Sequence, residues 1–386
     1  MKVVFDGTPF LLEKTGIGHY TDNLIAYLLA EEAGPEISLF SISMRGGHRL
    51  KDLSPSYRGV EVKGFNLPAN FLYYHWWKRT SLFPAESLLG GFDIFHATNY
   101  QAPALRGALL VSTVHDINFV RFPEFQSKGI RRFIKALPRL LERSRCVLAD
   151  SRFTAEELMG VYGLPEDKVR VVYPGLSPAF REEPSPEEVE TALRAYSLTT
   201  PYLAYVGNLH PRKNLATLME AFSLLRERGL EYQLAVIGGG GLGQLHNTEY
   251  RKLTRRVQDL GLEEEVVFTG YVPDERLNSL LAAADMLVFP SIYEGFGLPP
   301  LEAMSRGVPV ITSRRASLPE VVGDAALLLE DPLDEREIAD KVETLVGDVS
   351  LRSDMVEKGR AFSRNFTWEK AASEVMDIYR QVMEGG

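Results

Sequence analysis

Short runs of apolar, often β-branched residues alternate with longer segments of helical period along most of the chain. Such alternation is typical of parallel sheets whose strands are joined by crossover helices. The predicted strands are 2–6, 36–43, 92–96, 109–114, 146–150 and 169–173, then 202–207, 232–238, 265–269, 286–290 and 308–312. Helical periods between them include 21–32, 154–162, 214–228 and 275–284. The predicted fold class is α/β, with two Rossmann-like parallel-sheet domains facing a central cleft.

The segment 174–200 separates the two halves, because it is rich in Pro, Glu and Ser and lacks an apolar period. We predict an N-terminal domain over 1–180, a linker over 181–200 with one short helix at about 185–196, and a C-terminal domain over 201–364. Ligands of open parallel sheets bind beyond the carboxyl ends of the strands. The residues that directly follow the predicted strands are therefore the candidate site residues.

The net charge, the cysteine count and the absence of long apolar runs exclude several classes of protein. The 386 residues carry a net charge of −9, although residues 1–180 hold 21 Lys and Arg against 18 Asp and Glu. An acidic protein is a poor candidate for nucleic-acid binding, which depends on neutralising phosphates. The one cysteine cannot form an internal disulfide, and neither a secretory signal nor an apolar run long enough to span a bilayer is apparent. A cytoplasmic protein is expected, with at most peripheral membrane contact.

Two junctions of the first half carry candidate chemistry. Gly16-Ile17-Gly18 lies before a helix predicted to start near Thr21, where glycines and free N–H groups suit a phosphate. A tight turn without a ligand explains it equally well. His115 ends the strand 109–114 and, as a neutral imidazole, could bond a sugar hydroxyl. The alternative, slightly favoured by the local sequence, is a histidine that orients the following loop.

In the second half, Gly207 is followed by the adjacent cations Arg212 and Lys213 at a strand-to-helix junction. Such a pair can clamp a diphosphate and stabilise it as its negative charge develops. A solvated basic turn is the plain alternative. The acidic surroundings favour the functional interpretation.

The stretch 291–304 is the most informative junction. Glu294 lies in a glycine-containing loop, and Glu302 lies in the first turns of a helix that begins with prolines. Two carboxylates so placed can accept hydroxyls from two parts of one ligand. The alternatives are a solvated loop acid for Glu294 and complementarity with the helix dipole for Glu302. We find no Asp-x-Asp, no Cys/His cluster and no His-Glu-x-x-His, so no metal site is expected.

Taken together, these segments resemble retaining glycosyltransferases of the GT-B fold, family 4 (group 1). The resemblance implies no metal and no cofactor, with a nucleotide-sugar as the donor substrate. It implies that the final segment, 365–386, crosses back to the N-terminal, acceptor-side domain. The segments that carry it are Gly16–Gly18, 211–214, 268–272, Glu294 to Glu302, 307–311 and 318–320.

The resemblance also implies roles for individual positions. Arg212 and Lys213 would hold the donor diphosphate, Glu302 the ribose hydroxyls and Glu294 the transferred sugar. The implied catalytic positions are His115, Glu294, Arg212 and Lys213. The implied donor-binding positions are Gly16, Gly18, Gly207, Arg212, Lys213, Tyr271, Val272, Glu294, Phe296, Gly297, Leu298 and Glu302.

Within the family, the 16–21 and 114–116 segments are most similar to bacterial mannosyltransferases of surface polysaccharide assembly, which points to GDP-mannose. The open alternatives are UDP- or ADP-sugar-dependent glucosyl or N-acetylglucosaminyl transfer, and a sugar-nucleotide epimerase or hydrolase on the same fold. A dinucleotide oxidoreductase lacks its third glycine here. A non-catalytic carbohydrate-binding protein leaves Arg212 and Lys213 unexplained.

A glycan or a lipid-linked molecule is the expected acceptor. Residues 121–145 hold eight cations among apolar residues, which suits either peripheral contact with anionic lipid or a packed helix. The aromatic cluster 71–77 could stack on an acceptor sugar, and core packing or a dimer contact would produce the same residues. The sequence leaves both alternatives open.

Overall fold

The computed structural model describes residues 1–11, 16–43, 60–67, 83–125, 130–239 and 248–385. They form two compact units, Met1–Gly175 with Phe366–Gly386, and Leu176–Asn365. The aromatic cluster 71–77 lies outside the described residues. Among the helices that the structure describes, none combines the length and the apolar character needed to cross a bilayer.

The first unit is built on a parallel sheet of seven strands. The strands are β1 (Lys2–Asp6), β2 (Glu36–Ile42), β3 (Glu61–Phe65), β4 (Ile94–Ala97), β5 (Leu109–Val114), β6 (Cys146–Ala149) and β7 (Val169–Val171). Their order is β3-β2-β1-β4-β5-β6-β7. The helices are α1 (Gly16–Ala30), α2 (Glu86–Leu89), α3 (Asn118–Arg121), α4 (Ile130–Arg143) and α5 (Arg152–Tyr162).

The second unit contains a parallel sheet of six strands. The strands are β8 (Tyr202–Val206), β9 (Gln233–Ile237), β10 (Val266–Gly270), β11 (Met286–Phe289), β12 (Val310–Ser313) and β13 (Leu327–Leu329). Their order is β10-β9-β8-β11-β12-β13. The helices are α6 (Pro186–Ala195), α7 (Leu215–Glu227), α8 (Thr248–Asp259), α9 (Asp274–Ala283), α10 (Leu298–Ser305), α11 (Leu318–Val322), α12 (Glu335–Gly347) and α13 (Val349–Ser363).

The last helix, α14 (Trp368–Glu384), belongs to the first unit although it follows the second in the chain. Trp368, Val375 and Tyr379 are buried in the core of the first unit. The Tyr379 hydroxyl lies 2.6 Å from Nδ1 of His96, a buried residue of β4. Apolar burial and this polar contact therefore attach the end of the chain to the first sheet.

The segment predicted as a linker differs in the structure. Residues 181–200 lie in the second unit, and Ala192 and Leu198 are buried in its core. The helix α6 forms at the predicted place, with the Ser185 hydroxyl and the Glu188 carboxylate forming a capping box. Ala192 is the one residue of α6 that is fully buried, so the helix shows almost no apolar period. A charged surface helix is hard to distinguish from a linker in sequence.

Of the strands that the structure describes, β3 and β13 were not predicted. Residues of β3 are half-buried and include Lys63 and Gly64, and β13 has only three residues. Both lie at sheet edges, where a strand shows neither a long apolar run nor clean alternation.

The basic segment 121–145 begins at the last residue of α3 and contains α4, although residues 126–129 lie outside the description. Leu137, Leu140 and Leu141 are buried in the core of the first unit, whereas Lys135 and Arg139 are exposed. The apolar residues of α4 that the structure describes therefore pack inward, as expected for a packed helix.

Candidate active site

Glu294 is the centre of a buried charge cluster in the second unit. Its side chain is 8% exposed. Oε2 accepts a hydrogen bond from Arg212 Nη1 at 2.8 Å, and Oε1 accepts one from Lys213 Nζ at 2.6 Å. The Ser291 hydroxyl donates to Oε1 at 2.5 Å. The structure thus brings together three residues that the sequence analysis had assigned to one donor.

The electrostatics of this cluster keep Glu294 ionised. Burial raises the pKa of Glu294, but the positive charges of Arg212 and Lys213 more than offset this effect. The resulting pKa is about 2. Lys213 Nζ also lies 4.8 Å from the centre of the Phe289 ring, a cation–π distance. Two cations beside one carboxylate leave the cluster with one net positive charge, which suits an anionic ligand.

The sheet topology explains why residues so far apart in sequence meet. Arg212 and Lys213 lie in a short 3-10 turn, Pro211–Lys213, after β8, and Glu294 lies in the loop after β11. β8 and β11 are parallel neighbours, with Leu203 paired to Met286. Their carboxyl ends therefore meet at one edge of the sheet.

Buried hydroxyls hold the loop that carries Glu294. Ser317 Oγ lies 3.0 Å from the carbonyl oxygen of Glu294 and 2.6 Å from that of Phe296. Ser313 Oγ donates to the carbonyl of Ser291. Gly297 has φ +112°, and a Cβ there would lie 2.8 Å from Leu318 Cδ2, so glycine is required. The left-handed turn ends where α10 begins at Leu298.

Glu302 lies in α10 and is 9% exposed. Its carboxylate accepts no hydrogen bond from any residue that the structure describes. Burial first, and then the nearby charge of Asp274, raise the pKa of Glu302 to about 8. Glu302 is thus a buried acid that shares no hydrogen bond or ion pair with the Glu294 cluster in this part of the chain.

Three other donor-binding candidates of the second unit, Gly207, Tyr271 and Val272, directly follow strands. Gly207 follows β8 with φ +151°, and a Cβ there would lie 2.9 Å from the Tyr205 hydroxyl, so the position favours glycine. Tyr271 and Val272 follow β10; Tyr271 is 55% exposed and Val272 is buried. Both residues lie at the carboxyl end of a strand, where ligands of parallel sheets bind.

In the first unit, the glycine segment differs from its prediction. α1 begins at Gly16, so Gly16 and Gly18 form the first turn of the helix and do not precede a helix that starts near Thr21. The helix extends back to include the glycines. One of its faces is buried through Tyr20, Leu24 and Ile25, which holds the helix against the sheet. The residues before Gly16, 12–15, lie outside the description.

His115 follows β5, and both of its ring nitrogens contact protein. Nδ1 lies 2.7 Å from Asp150 Oδ2, and Nε2 lies 3.1 Å from the carbonyl oxygen of Thr98. The Tyr20 ring packs against it at 4.7 Å between centroids. Burial lowers the pKa of His115, but the Asp150 carboxylate outweighs burial, so the pKa is raised. Both ring nitrogens therefore contact the protein, and the raised pKa favours the charged ring over the neutral imidazole that the sequence analysis considered.

Sequence reasoning missed several polar residues around these sites. Asp150 follows β6, and its place as the last residue of the predicted strand 146–150 could have indicated it. Ser291 and Ser317 gave no signal, because serines in loops are common. His210 accepts a hydrogen bond from the Arg212 N–H at 3.3 Å. Burial, Arg212 and Lys213 lower its pKa to about 4, so it stays neutral beside the cations.

A cavity of about 720 Å³ lies elsewhere in the first unit, at the amino ends of β5, β6 and β7. It is lined in part by Arg143, Lys168 and Arg170 and contains none of the candidate residues. Ligands of parallel sheets bind at the opposite, carboxyl ends of strands. The chemistry of the side chains therefore locates the candidate site better than the size of this cavity.

Comparisons with known proteins cover both units. Residues 14–180 match the family described as Glycosyltransferase Family 4, and residues 194–362 match Glycosyl transferases group 1. O-antigen chain mannosyltransferase B of Escherichia coli is 33% identical over 396 residues, covering 98% of this chain and 100% of that protein. D-inositol 3-phosphate glycosyltransferase of Paenarthrobacter aurescens is 26% identical over 388 residues, covering 94% and 92%.

Solved structures give the same fold. The structure of Anabaena HepE in complex with UDP and glucose superposes with a TM-score of 0.76 at 19% identity, covering 99% of this chain and 100% of that one. At this identity the likeness shows the arrangement of strands and helices within the units and no more.

Proposed function

Because the chain belongs to glycosyltransferase family 4 and has the GT-B fold, we propose that it transfers a hexose from a nucleotide-sugar to a glycan or lipid-linked acceptor, with retention of the anomeric configuration. The observation that carries the proposal is the buried cluster of Arg212, Lys213 and Glu294. GDP-mannose is the proposed donor, supported by the mannosyltransferase that is 33% identical over nearly the whole chain.

Arg212 and Lys213 are proposed to bind the donor diphosphate. Their side chains are 13% and 8% exposed, so a ligand at this place is screened little by water. The diphosphate gains negative charge as the bond to the sugar breaks. Cations already held in place by Glu294 stabilise that charge without reorganising during the reaction.

The two glutamates are proposed to hold different parts of the donor. Glu294, with the N–H groups of Phe296, Gly297 and Leu298, contacts the transferred sugar, and Glu302 accepts the ribose hydroxyls. Support for Glu302 comes from its buried carboxylate, which has no donor partner in the described part of the protein. Ligand hydroxyls would supply the missing hydrogen bonds.

The remaining candidates are proposed from the family resemblance. The backbone of Tyr271 and Val272 contacts the base, Gly207 lets the diphosphate approach the backbone, and Gly16, Gly18 and His115 of the first unit serve the same donor. Substitution of these residues in the full-length protein tests each role separately.

The proposed reaction is a front-face displacement. The bond between the anomeric carbon and the diphosphate oxygen breaks, and the acceptor oxygen bonds to the same carbon on the same face. The acceptor proton passes to an oxygen of the leaving diphosphate. No protein nucleophile is needed, and the products are the glycosylated acceptor and a nucleoside diphosphate.

We also propose that transfer needs no divalent cation, because Arg212 and Lys213 supply the positive charge that a metal would otherwise provide. Activity should be the same in a chelator as without it. Loss of activity in the chelator, restored by Mg²⁺ or Mn²⁺, would contradict this.

A second donor class, UDP-sugars, has a weaker basis, since UDP binds a structural relative of only 19% identity. The base and hexose depend on a few pocket contacts. An epimerase or hydrolase on this fold would share the donor pocket and dispense with the acceptor.

A donor screen tests the function. Thermal shifts with GDP, UDP, ADP, their sugars and NAD, all without added metal, should show stabilisation by a nucleoside diphosphate and by its sugar, with GDP-mannose strongest. Stabilisation by NAD and by no nucleoside diphosphate would reject the transferase. Turnover of the donor without any acceptor, at the full rate, would instead indicate a hydrolase or epimerase.

A further inference from the structure

Asp150 is a buried carboxylate, 6% exposed, to which the proposed function gives no role. It follows β6 as His115 follows β5, and the parallel pairing of Val114 with Ala149 places the two side by side. Oδ2 lies 2.7 Å from His115 Nδ1, whereas Oδ1 has no hydrogen-bond partner in the described ranges. The contact with His115 is therefore the main polar interaction of this carboxylate.

The contacts of His115 determine where its ring hydrogens lie. Nδ1 faces the Asp150 carboxylate and Nε2 faces the Thr98 carbonyl at 3.1 Å. Neither oxygen can donate a hydrogen, so each ring nitrogen must carry one for both contacts to be hydrogen bonds. A ring with hydrogens on both nitrogens is an imidazolium cation.

The other groups packed around the ring are compatible with this charge. Tyr20 of α1 presents its ring at 4.7 Å, nearly perpendicular to the His115 ring. Burial, and then the charge on His115, lower the pKa of His96 to about 3, so His96 of β4 adds no positive charge. The Asp116 carboxylate adds a further negative charge that favours the cation.

We propose that Asp150 is a positioning residue that keeps His115 a hydrogen-bond donor at both nitrogens, and thereby excludes His115 as the general base of the transfer reaction. This inference rests on the proposed function, in which His115 serves the donor. A ligand oxygen would then accept the Nε2 hydrogen in place of the Thr98 carbonyl. The acceptor proton goes to the leaving diphosphate, as in the front-face displacement above.

The pH dependence of kcat/KM for the donor tests the proposal, because the two roles have opposite signs. A His115 that acts as a donor is active when protonated, so kcat/KM falls as the pH rises through the His115 pKa. Asp150→Asn removes the negative charge that raises this pKa, and the falling limb moves to lower pH by about one unit. A limb of kcat/KM that rises with pH and moves to lower pH in Asp150→Asn would identify His115 as a general base and overturn the proposal.

Asp116→Asn is the matched control. Asp116 also carries charge near His115, but its Oδ1 accepts hydrogen bonds from Asn118 and not from the ring. The falling limb should move less than in Asp150→Asn. An equal shift in both variants would show that general charge, and not the contact with Asp150, controls the ring.

NMR titration of the histidine rings in the full-length wild-type protein tests the proposal even if Asp150→Asn does not fold. The His115 signal is assigned by its loss in His115→Gln. Hydrogens on both nitrogens at pH 7 support the proposal, and a neutral ring at pH 7 overturns it. This measurement needs no turnover, so an inactive enzyme would reject the proposed function without deciding the state of His115.

Discussion

Glu294 and Glu302 are both buried and lie in neighbouring segments, yet their surroundings favour the ionised form of Glu294 and the protonated form of Glu302. Glu294 accepts hydrogen bonds from Arg212, Lys213 and Ser291, and its pKa is about 2. Glu302 has no such donor among the described residues, and its pKa is about 8. Burial raises both pKa values, so the partners decide whether a buried carboxylate is charged.

The difference in hydrogen-bond partners and pKa indicates a different role for each glutamate. The protein itself satisfies Glu294, which organises the cations before any ligand arrives. Glu302 has no hydrogen-bond donor in the part of the chain that the structure describes, and it is largely protonated at neutral pH. Hydroxyls that donate to Glu302 favour its ionised form, so donor binding near neutral pH should release a proton.

The largest effect is expected from Glu294→Ala. It leaves Arg212 and Lys213 buried without their carboxylate, which should destabilise the protein by about 3 kcal/mol. Transfer should slow by about 100-fold, because the proposed contact with the sugar is removed and the cations lose their position. Urea unfolding and the kcat for transfer measure the two effects.

Ser291→Ala is the control for this prediction, since it removes one hydrogen bond to Glu294 and keeps every charge. Its effects on stability and on kcat should be smaller. If Glu294→Ala were as stable as the wild type, the cluster would not be held by its ion pairs.

Glu302→Ala should come next, with donor affinity weakened by about tenfold, the equivalent of about 1.4 kcal/mol. The kcat at saturating donor should change little, because the ribose lies away from the reacting bond. Donor titration by calorimetry and steady-state kinetics separate the two. Glu187→Gln, an exposed first-turn acid of α6, is the control and should leave both unchanged. Equal, mild effects of Glu294→Ala and Glu302→Ala would mean that the roles are misassigned.

Stability as a function of pH tests the protonation state of Glu302. The folded-state pKa of Glu302 is raised from 4.5 to about 8, so between these values the folded protein holds a proton that the unfolded chain has lost. Its contribution is fully present below pH 4.5 and is lost as the pH rises toward 8. Glu302→Gln should therefore lose less stability than the wild type between pH 5 and pH 9 in urea unfolding of the free protein. Parallel losses in the two proteins would show that Glu302 is ionised throughout.

The smallest effect is expected from Asp274→Asn, which removes the negative charge that adds to burial at Glu302. The pKa of Glu302 should fall by less than about one unit. The pH at which donor affinity levels off should move down accordingly, and the kcat should be unaffected. Calorimetric titrations across pH 6–9 measure the shift, and a shift upward would contradict the role given to Asp274.

Much of the fold follows from local patterns. Buried parallel strands such as β8 and β11 are continuous apolar runs, and the helices between them show a clear period, so class and order were predictable. The edge strands β3 and β13 were not, because their burial depends on neighbours far away in sequence. The helix α6 was predicted as a helix, but its place in the second unit was not, for the same reason. The second unit begins at Leu176 and not at the predicted residue 201 for the same reason.

The candidate site also has features that the sequence predicts and features that depend on the tertiary structure. The order of the chain places Arg212, Lys213 and Glu294 after strand ends and Glu302 in the helix that follows, and the residue types alone indicate a binding site for a charged, hydroxyl-rich ligand. Their charge states could not be predicted, because a pKa depends on burial and on partners that sheet pairing supplies. The pairing of β8 with β11 gives Glu294 its cations, the packing of α10 isolates Glu302, and the pairing of β5 with β6 joins His115 to Asp150.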